Sequence, residues 1–265
     1  MTKRKTYRFR HGEIIDVEEY HDGNYGAPGR KRKKREKQTS EQMQKVNSLN
    51  KTRRCRHRML SYFNFGDLFL TLTYEVKNKP KDMKGALKGF QKFIRIVRRE
   101  YAKRGMELFW IRNIELGTKG GWHIHLIVNE IGGSTDIVKN AWEHGGIYSV
   151  EIRKSKFYDE DFTKLSGYMT KDENTKEYKS DGTLAKTKIK EANYGISRNM
   201  PIPEPKVERL IRWNPEPKTK KGYYIVNKID EKNPITGYDY RRYTMIKIVG
   251  VLANTNAPGD RRKNE

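Results

Sequence analysis

The sequence predicts an α+β fold: a mostly antiparallel sheet with helices packed mainly on one face. Three observations predict it. Short alternating apolar runs recur at residues 68–74, 108–115, 121–128 and 147–152. Longer segments with helical spacing are interleaved with them. The glycine-rich stretch 117–121 joins the two middle runs closely enough for an antiparallel hairpin.

In order along the chain, residues 68–74 set Leu68, Leu70 and Leu72 on one strand face and Phe69, Thr71 and Thr73 on the other. Residues 82–104 form a helix whose stripe of Leu87, Phe90, Ile94, Val97 and Tyr101 is core. Its lysines and arginines face either solvent or DNA. The next two strands form the hairpin, and on the second of them His123 and His125 point the same way. Pairing Glu115 opposite His123 puts Asn113 opposite His125, with all four side chains on one face. A short helix over 134–142 precedes the strand at 147–152. Residues 159–171 close the segment as a helix built on Phe162, Leu165 and Met169, with Tyr168 at the edge of that stripe and Lys171 one turn on. Two imidazoles on one strand face can chelate a divalent cation; they can equally be half-exposed strand histidines.

The ends read differently. The chain has 265 residues, 34% apolar and 34% charged, so part of it is expected to lie outside a packed core. Its formal charge is +24, a surplus that points to nucleic acid before anionic membrane. Residues 1–60 hold eighteen Lys/Arg against seven Asp/Glu and read as a basic, largely flexible arm. Within it, Arg30, Lys31, Arg32, Lys33, Lys34 and Arg35 are candidates for phosphate contact, or else a solvated charge run. A folded domain is expected over 61–178 and an extension over 179–265. In that extension, residues 223–226 and 243–249 suit a final hairpin that either extends the main sheet or forms a separate lobe. Cys55 is the sole cysteine, so neither an intrachain disulfide nor a cysteine-rich zinc site is open to the chain. No apolar run is long enough for a membrane span, and the simplest placement is cytoplasmic. No GxxxxGK loop suggests an ATP-driven motor. His57 and His144 read as surface residues.

Three ordered pieces carry a resemblance: 70–74 with Thr71 and Thr73, then Gly121-Trp122-His123-Ile124-His125-Leu126, then Tyr168-Met169-Thr170-Lys171. Together they resemble HUH endonucleases, most closely the rolling-circle replication initiators of plasmids, phages and circular single-stranded DNA viruses. The tyrosine follows the histidines, as in replication initiators, whereas in conjugative relaxases it precedes them. The resemblance spans roughly residues 65–175. It implies the HUH fold, with His123, His125 and Glu115 holding Mg²⁺ or Mn²⁺; zinc is the structural alternative for such a donor set. It implies Tyr168 as nucleophile, forming a 5′-phosphotyrosine and a free 3′-OH and able to rejoin strands, with Lys171 stabilising charge beside it. The implied partners are single-stranded origin DNA, which can be a hairpin, a host helicase and polymerase, and a transient homodimer, because only one tyrosine stands in the motif. The setting would be a bacterial cytoplasm. Two other readings compete: a transposase or mobilisation nuclease of the same superfamily, and a non-catalytic basic nucleic-acid-binding protein.

Overall fold

The computed structural model describes residues 2–21, 39–117, 120–153, 160–171, 193–232 and 238–248. In chain order the elements are β1 (Thr2–Phe9), β2 (Ile14–His21), α1 (Ser40–Tyr62), β3 (Leu68–Thr73), α2 (Met83–Lys103), β4 (Trp110–Leu116) and β5 (Trp122–Val128). They continue with α3 (Ser134–Ala141), β6 (Ile147–Glu151), α4 (Thr163–Met169), β7 (Tyr194–Ile196), β8 (Lys206–Leu210), β9 (Tyr223–Lys232) and β10 (Asp239–Lys247). The chain divides into two compact units, 26–205 with 234–237, and 1–25 with 206–233 and 238–265.

The larger unit is built on a five-stranded sheet of order β6-β3-β5-β4-β7, antiparallel throughout. Strand parity sorts its residues as the sequence suggests. Leu70, Leu72, Ile114, Ile124 and Leu126 are fully buried in one core with Phe90, Phe93 and Val97 of α2 and Val138 of α3. Helix α2 starts where the Asp82 carboxylate accepts the Gly85 N–H at 2.7 Å. It ends at Arg104, followed by Gly105 at φ +69°.

The opposite face is covered as well, which corrects the expectation of helices mainly on one side. Residues of odd number on β4 and β5, among them Ile111 and Ile127, are buried there without joining the α2 core. Helices α1 and α4 lie on this side and hold each other. Thr39 and Gln42 close a reciprocal capping box that starts α1. Further along α1, Arg56 donates to the Asp161 carbonyl at 2.8 Å and to its carboxylate at 3.0 Å, in a buried ion pair. The same carboxylate accepts from the backbone and hydroxyl of Thr163, the first residue of α4. At the far end the hydroxyls of Thr52 and Thr170 are 2.7 Å apart. α4 is shorter than the expected 159–171 helix because Phe162, buried in its pocket, takes the left-handed conformation (φ +57°) and breaks the run. His57 is also buried rather than at the surface, at 2% exposure on α1, and His144 stacks on Tyr74.

The smaller unit is a second antiparallel sheet of order β8-β1-β2-β10-β9. It replaces the expected flexible arm at residues 2–21, while Ser40–Tyr62 is helical. The physical reason is pairing. Arg4 stands opposite Glu19 in the β1–β2 register and bridges to it at 2.6 Å, so the positive charge is matched across the strands. Ile15 and Val17 of β2 pack on Tyr243 and Met245 of β10. The β9–β10 pairing realises the final hairpin, and it lies in this separate sheet; the extension is also split, since β7 belongs to the larger unit. The run Arg30 to Arg35 lies outside the described residues.

Candidate active site

β5 sits at the centre of the larger sheet, so from His123 to Val128 each of its residues has a partner on both flanking strands. Glu115 stands opposite His123 and Asn113 opposite His125 on β4; Thr73 stands opposite His123 and Thr71 opposite His125 on β3. Six polar side chains thus share the face that α4 covers.

His125 is the best-determined of them. It is 8% exposed, and both ring nitrogens are engaged. Thr71 Oγ1 lies 3.2 Å from Nδ1, and the Tyr168 hydroxyl 3.0 Å from Nε2. The Glu115 carboxylate reaches diagonally to 3.4 Å from the same Nε2. Phe69 stacks on the imidazole, with centroids 5.9 Å apart, and meets the Tyr168 ring edge-on. Lys171 Nζ lies 5.8 Å from the centre of the Tyr168 ring.

His123 is placed differently. A Cβ at Gly117 or Gly121 would lie 3.5 or 3.6 Å from its Nε2, so the glycine turn gives this ring its space. Thr73 turns to the Gly146 carbonyl at 3.1 Å. The structure therefore brings Glu115, His125, Tyr168, Lys171 and Thr71 together and leaves His123 and Thr73 at the margin.

For a divalent cation the donor chemistry fits: two imidazoles and a carboxylate on one face, with the Nδ1 of His125 held by Thr71 so that Nε2 points at the carboxylate. The three are not gathered as one cluster; among the described residues no group of three or more His, Cys, Asp or Glu stands close enough to hold a metal ion.

Two contributors are missing from the sequence-based set. Phe69 could have been found, since strand parity already put it beside Thr71. Asn193 carried no signal. Its side-chain amide donates to Asn113 Oδ1 at 3.0 Å and to the Lys171 carbonyl at 2.9 Å, and Asn113 donates to that carbonyl as well, at 3.2 Å. The pair clamps the chain where it leaves α4, one turn from Tyr168.

Residues 67–173 match the family model of the replication-associated protein ORF2. The match covers less than half of the chain and supports a Rep identification within the HUH superfamily for that part. The match takes in β3, β4, β5 and α4, the four elements that build the site, and it supports a nicking role in rolling-circle replication in general terms. No curated protein and no solved structure matches the chain. Among the described residues no helix is long and apolar enough to cross a membrane.

Proposed function

We propose that this Rep protein is a replication initiator that nicks single-stranded origin DNA with Tyr168 as nucleophile. The observation that carries the reading is the 3.0 Å contact between the Tyr168 hydroxyl and His125 Nε2, on the face that also presents Glu115. With Nδ1–H donating to Thr71, the single lone pair of Nε2 accepts from the phenol and holds its oxygen on this face while no cation is bound; the phenol proton itself passes to water as the oxygen attacks. A phenol ionises near pH ~10, far below an aliphatic alcohol, so no dedicated base is needed. The Tyr168 oxygen then bonds to phosphorus, the bond to the 3′ oxygen breaks, and that oxygen leaves and takes up a proton. The products are a 5′-phosphotyrosyl enzyme and a free 3′-OH for a host polymerase to extend. Lys171 favours the phenolate and the charged phosphate.

His123, His125 and Glu115 would hold Mg²⁺ or Mn²⁺, whose chemistry is to withdraw charge from the scissile phosphate. The phosphotyrosyl bond keeps its energy, so attack by a 3′-OH rejoins the strand. With one tyrosine in the motif, a second cleavage calls for a second subunit, hence a transient homodimer at the origin beside a host helicase. The basic run from Arg30 to Arg35 would add phosphate contacts, in the cytoplasm of a bacterial host.

Covalent trapping tests the proposal. Labelled single-stranded DNA from the protein's own replicon, incubated with Mn²⁺ or Mg²⁺, should yield an adduct that survives SDS, and Tyr168→Phe and His125→Ala should both abolish it. An adduct that persists in Tyr168→Phe would remove this tyrosine from the mechanism. Absence of any adduct across fragments tiling the replicon would favour a non-catalytic binding protein.

A further inference from the structure

A second feature of the larger unit lies on the α2 face of the sheet, away from the His125–Tyr168 cluster. Between α2, β4 and β7 runs a cleft of about 610 Å³. Its floor is apolar, with Phe90, Ile94 and Ile196, and four arginines line it: Arg95, Arg98, Arg112 and Arg198. No aspartate or glutamate is among its described lining residues. Arg95 and Arg98 lie three apart on α2, so they share one stripe of the helix, and both are exposed, as is Arg198 after β7.

Two details show that the cleft suits an anion with a flat partner. Trp110 lines it and is 9% exposed, yet its indole N–H meets no acceptor among the described residues. A buried donor left in that state is costly unless something accepts from it. Arg112 lies with its guanidinium 5.1 Å over the Phe90 ring, and burial holds its pKa down at about 10. It fits there because residue 195 is glycine; a Cβ at that position would come within 2.9 Å of the guanidinium. The site therefore offers donors and positive charge above a hydrophobic floor.

We propose that this cleft is a second contact for single-stranded DNA, with a backbone phosphate seated among Arg95, Arg98 and Arg198 and an unstacked base against the apolar floor beside Trp110. Guanidinium groups match phosphate oxygens in pairs, and a base needs only a flat apolar surface, so the contact is tolerant of sequence. It would keep hold of the strand away from the nick. The inference rests on the reading that this Rep protein handles single-stranded DNA, and it does not depend on Tyr168 as nucleophile.

The full-length protein and a labelled oligothymidylate serve as the test, with binding followed by fluorescence anisotropy across a salt series. The triple variant Arg95→Gln/Arg98→Gln/Arg198→Gln should bind at least about ten-fold more weakly, and its salt slope should fall by about 0.7, the value of one lost phosphate contact on a single strand. A control that removes the same charge from exposed lysines, Lys88→Gln/Lys92→Gln/Lys139→Gln, should lose less than about three-fold. Trp110→Phe, which keeps the ring and removes the donor, should weaken binding about three-fold. Equal losses in the two triple variants, or an unchanged salt slope, would overturn the proposal. So would thymidine monophosphate binding that depends on the three arginines while oligonucleotide affinity does not, because the cleft would then be a free-nucleotide site. A missing covalent adduct from the wild-type protein, with the arginine-dependent oligonucleotide binding intact, would count against the nucleophile and leave this contact standing.

Discussion

The two sheets of this protein have the same strand number and the same antiparallel pairing, and they are held together by different forces. The sheet of the larger unit, named the Rep sheet after the family model that matches most of it, buries leucine, isoleucine and aromatic side chains against α2 and α3, with Phe93 and Trp142 meeting edge-on at 5.4 Å. The smaller sheet has four buried apolar residues in its core cluster, Ile15, Val17, Tyr243 and Met245. Much of its cohesion comes from charge. Glu19, 2% exposed, lies between Arg4 and Arg241, at 2.6 and 3.8 Å, while Arg241 also bonds Asp230 and Arg242 meets Glu18 at 3.2 Å. The same pairing geometry can thus be stabilised by removing apolar surface from water, or by ion pairs dry enough to count.

The largest effect expected from this contrast is in the Rep sheet. Phe93→Ala should cost about 4 kcal/mol, because a packed aromatic is lost and the cavity stays. Hydrogen exchange should show the loss at β3, β4 and β5 and spare the amides of Ile15 and Val17. If both sheets lose protection together, they unfold as one and the contrast is not a contrast in stability. Next comes Glu19→Gln, which removes the shared carboxylate and leaves two guanidinium groups facing a neutral amide. About 3 kcal/mol should vanish, this time at the amides of Ile15, Val17 and Met245. A change below about 1 kcal/mol would mean that the buried pairs do no more than surface ones.

That contrast also explains what could be read in the sequence. In the Rep segment the hydrophobic period is strong. The strands, α2 and α3, the glycine turn and the pairing of Glu115 with His123 were all legible, because a core that large leaves a pattern of 2.0 or 3.6 in the apolar residues. The smaller sheet was hidden by its own stabilising force. Its first 21 residues are rich in charge, and a count of charge cannot tell a solvated run from a cross-strand ladder whose partners are Glu18 and Glu19. The alternation Ile15, Val17 was present and was too short to outweigh that count. In the site, Tyr168 and His125 stood out through the ordered motifs that contain them, whereas Asn193 did not: it lies 22 positions past the Lys171 carbonyl it holds, and no local pattern encodes that contact. The covering of the second face was missed for a similar reason, although the α4 helix itself was expected. α1 buries Cys55, Met59 and Leu60 only in its second half, behind a long polar start, and the arginines among them concealed the stripe.

Alkali offers a smaller and more even-handed probe. Burial pushes the Tyr101 phenol up to about 12, although its hydrogen bond to Ser134 pulls the other way. Burial, then the charge of Glu19, pushes Tyr243 of the smaller sheet up to about 12. In the unfolded chain both ionise near pH ~10. A phenol that keeps its proton longer in the folded state stabilises the fold fully below pH ~10, and that stability is lost as pH rises to about 12. For Tyr101 the span corresponds to about 3 kcal/mol. Urea midpoints followed by exchange should therefore fall in both sheets over this window. Tyr101→Phe should flatten the fall in the Rep sheet alone, and Tyr243→Phe in the smaller sheet alone. A Rep sheet as alkali-sensitive in Tyr101→Phe as in the wild type would show that this proton is not held by the fold.

The smallest effect on stability, and the sharpest on the comparison, is expected of Thr71→Val. The substitution keeps the shape and suits a strand, so the fold should change by less than about 1 kcal/mol. What it removes is the 3.2 Å partner of His125 Nδ1, the group that aims Nε2 at the Tyr168 hydroxyl. If the proposed nick is made by Tyr168, single-turnover adduct formation should slow about three- to ten-fold, the value of one hydrogen bond. Oligonucleotide affinity should stay the same. Polar groups on the smaller sheet would then hold the fold, and polar groups on the Rep sheet would hold a reacting geometry that the apolar core has already made stable. Should Thr71→Val instead unfold the Rep sheet as Glu19→Gln is expected to unfold its counterpart, the polar face of the Rep sheet would belong to its stability too, and the division between the two sheets would fall.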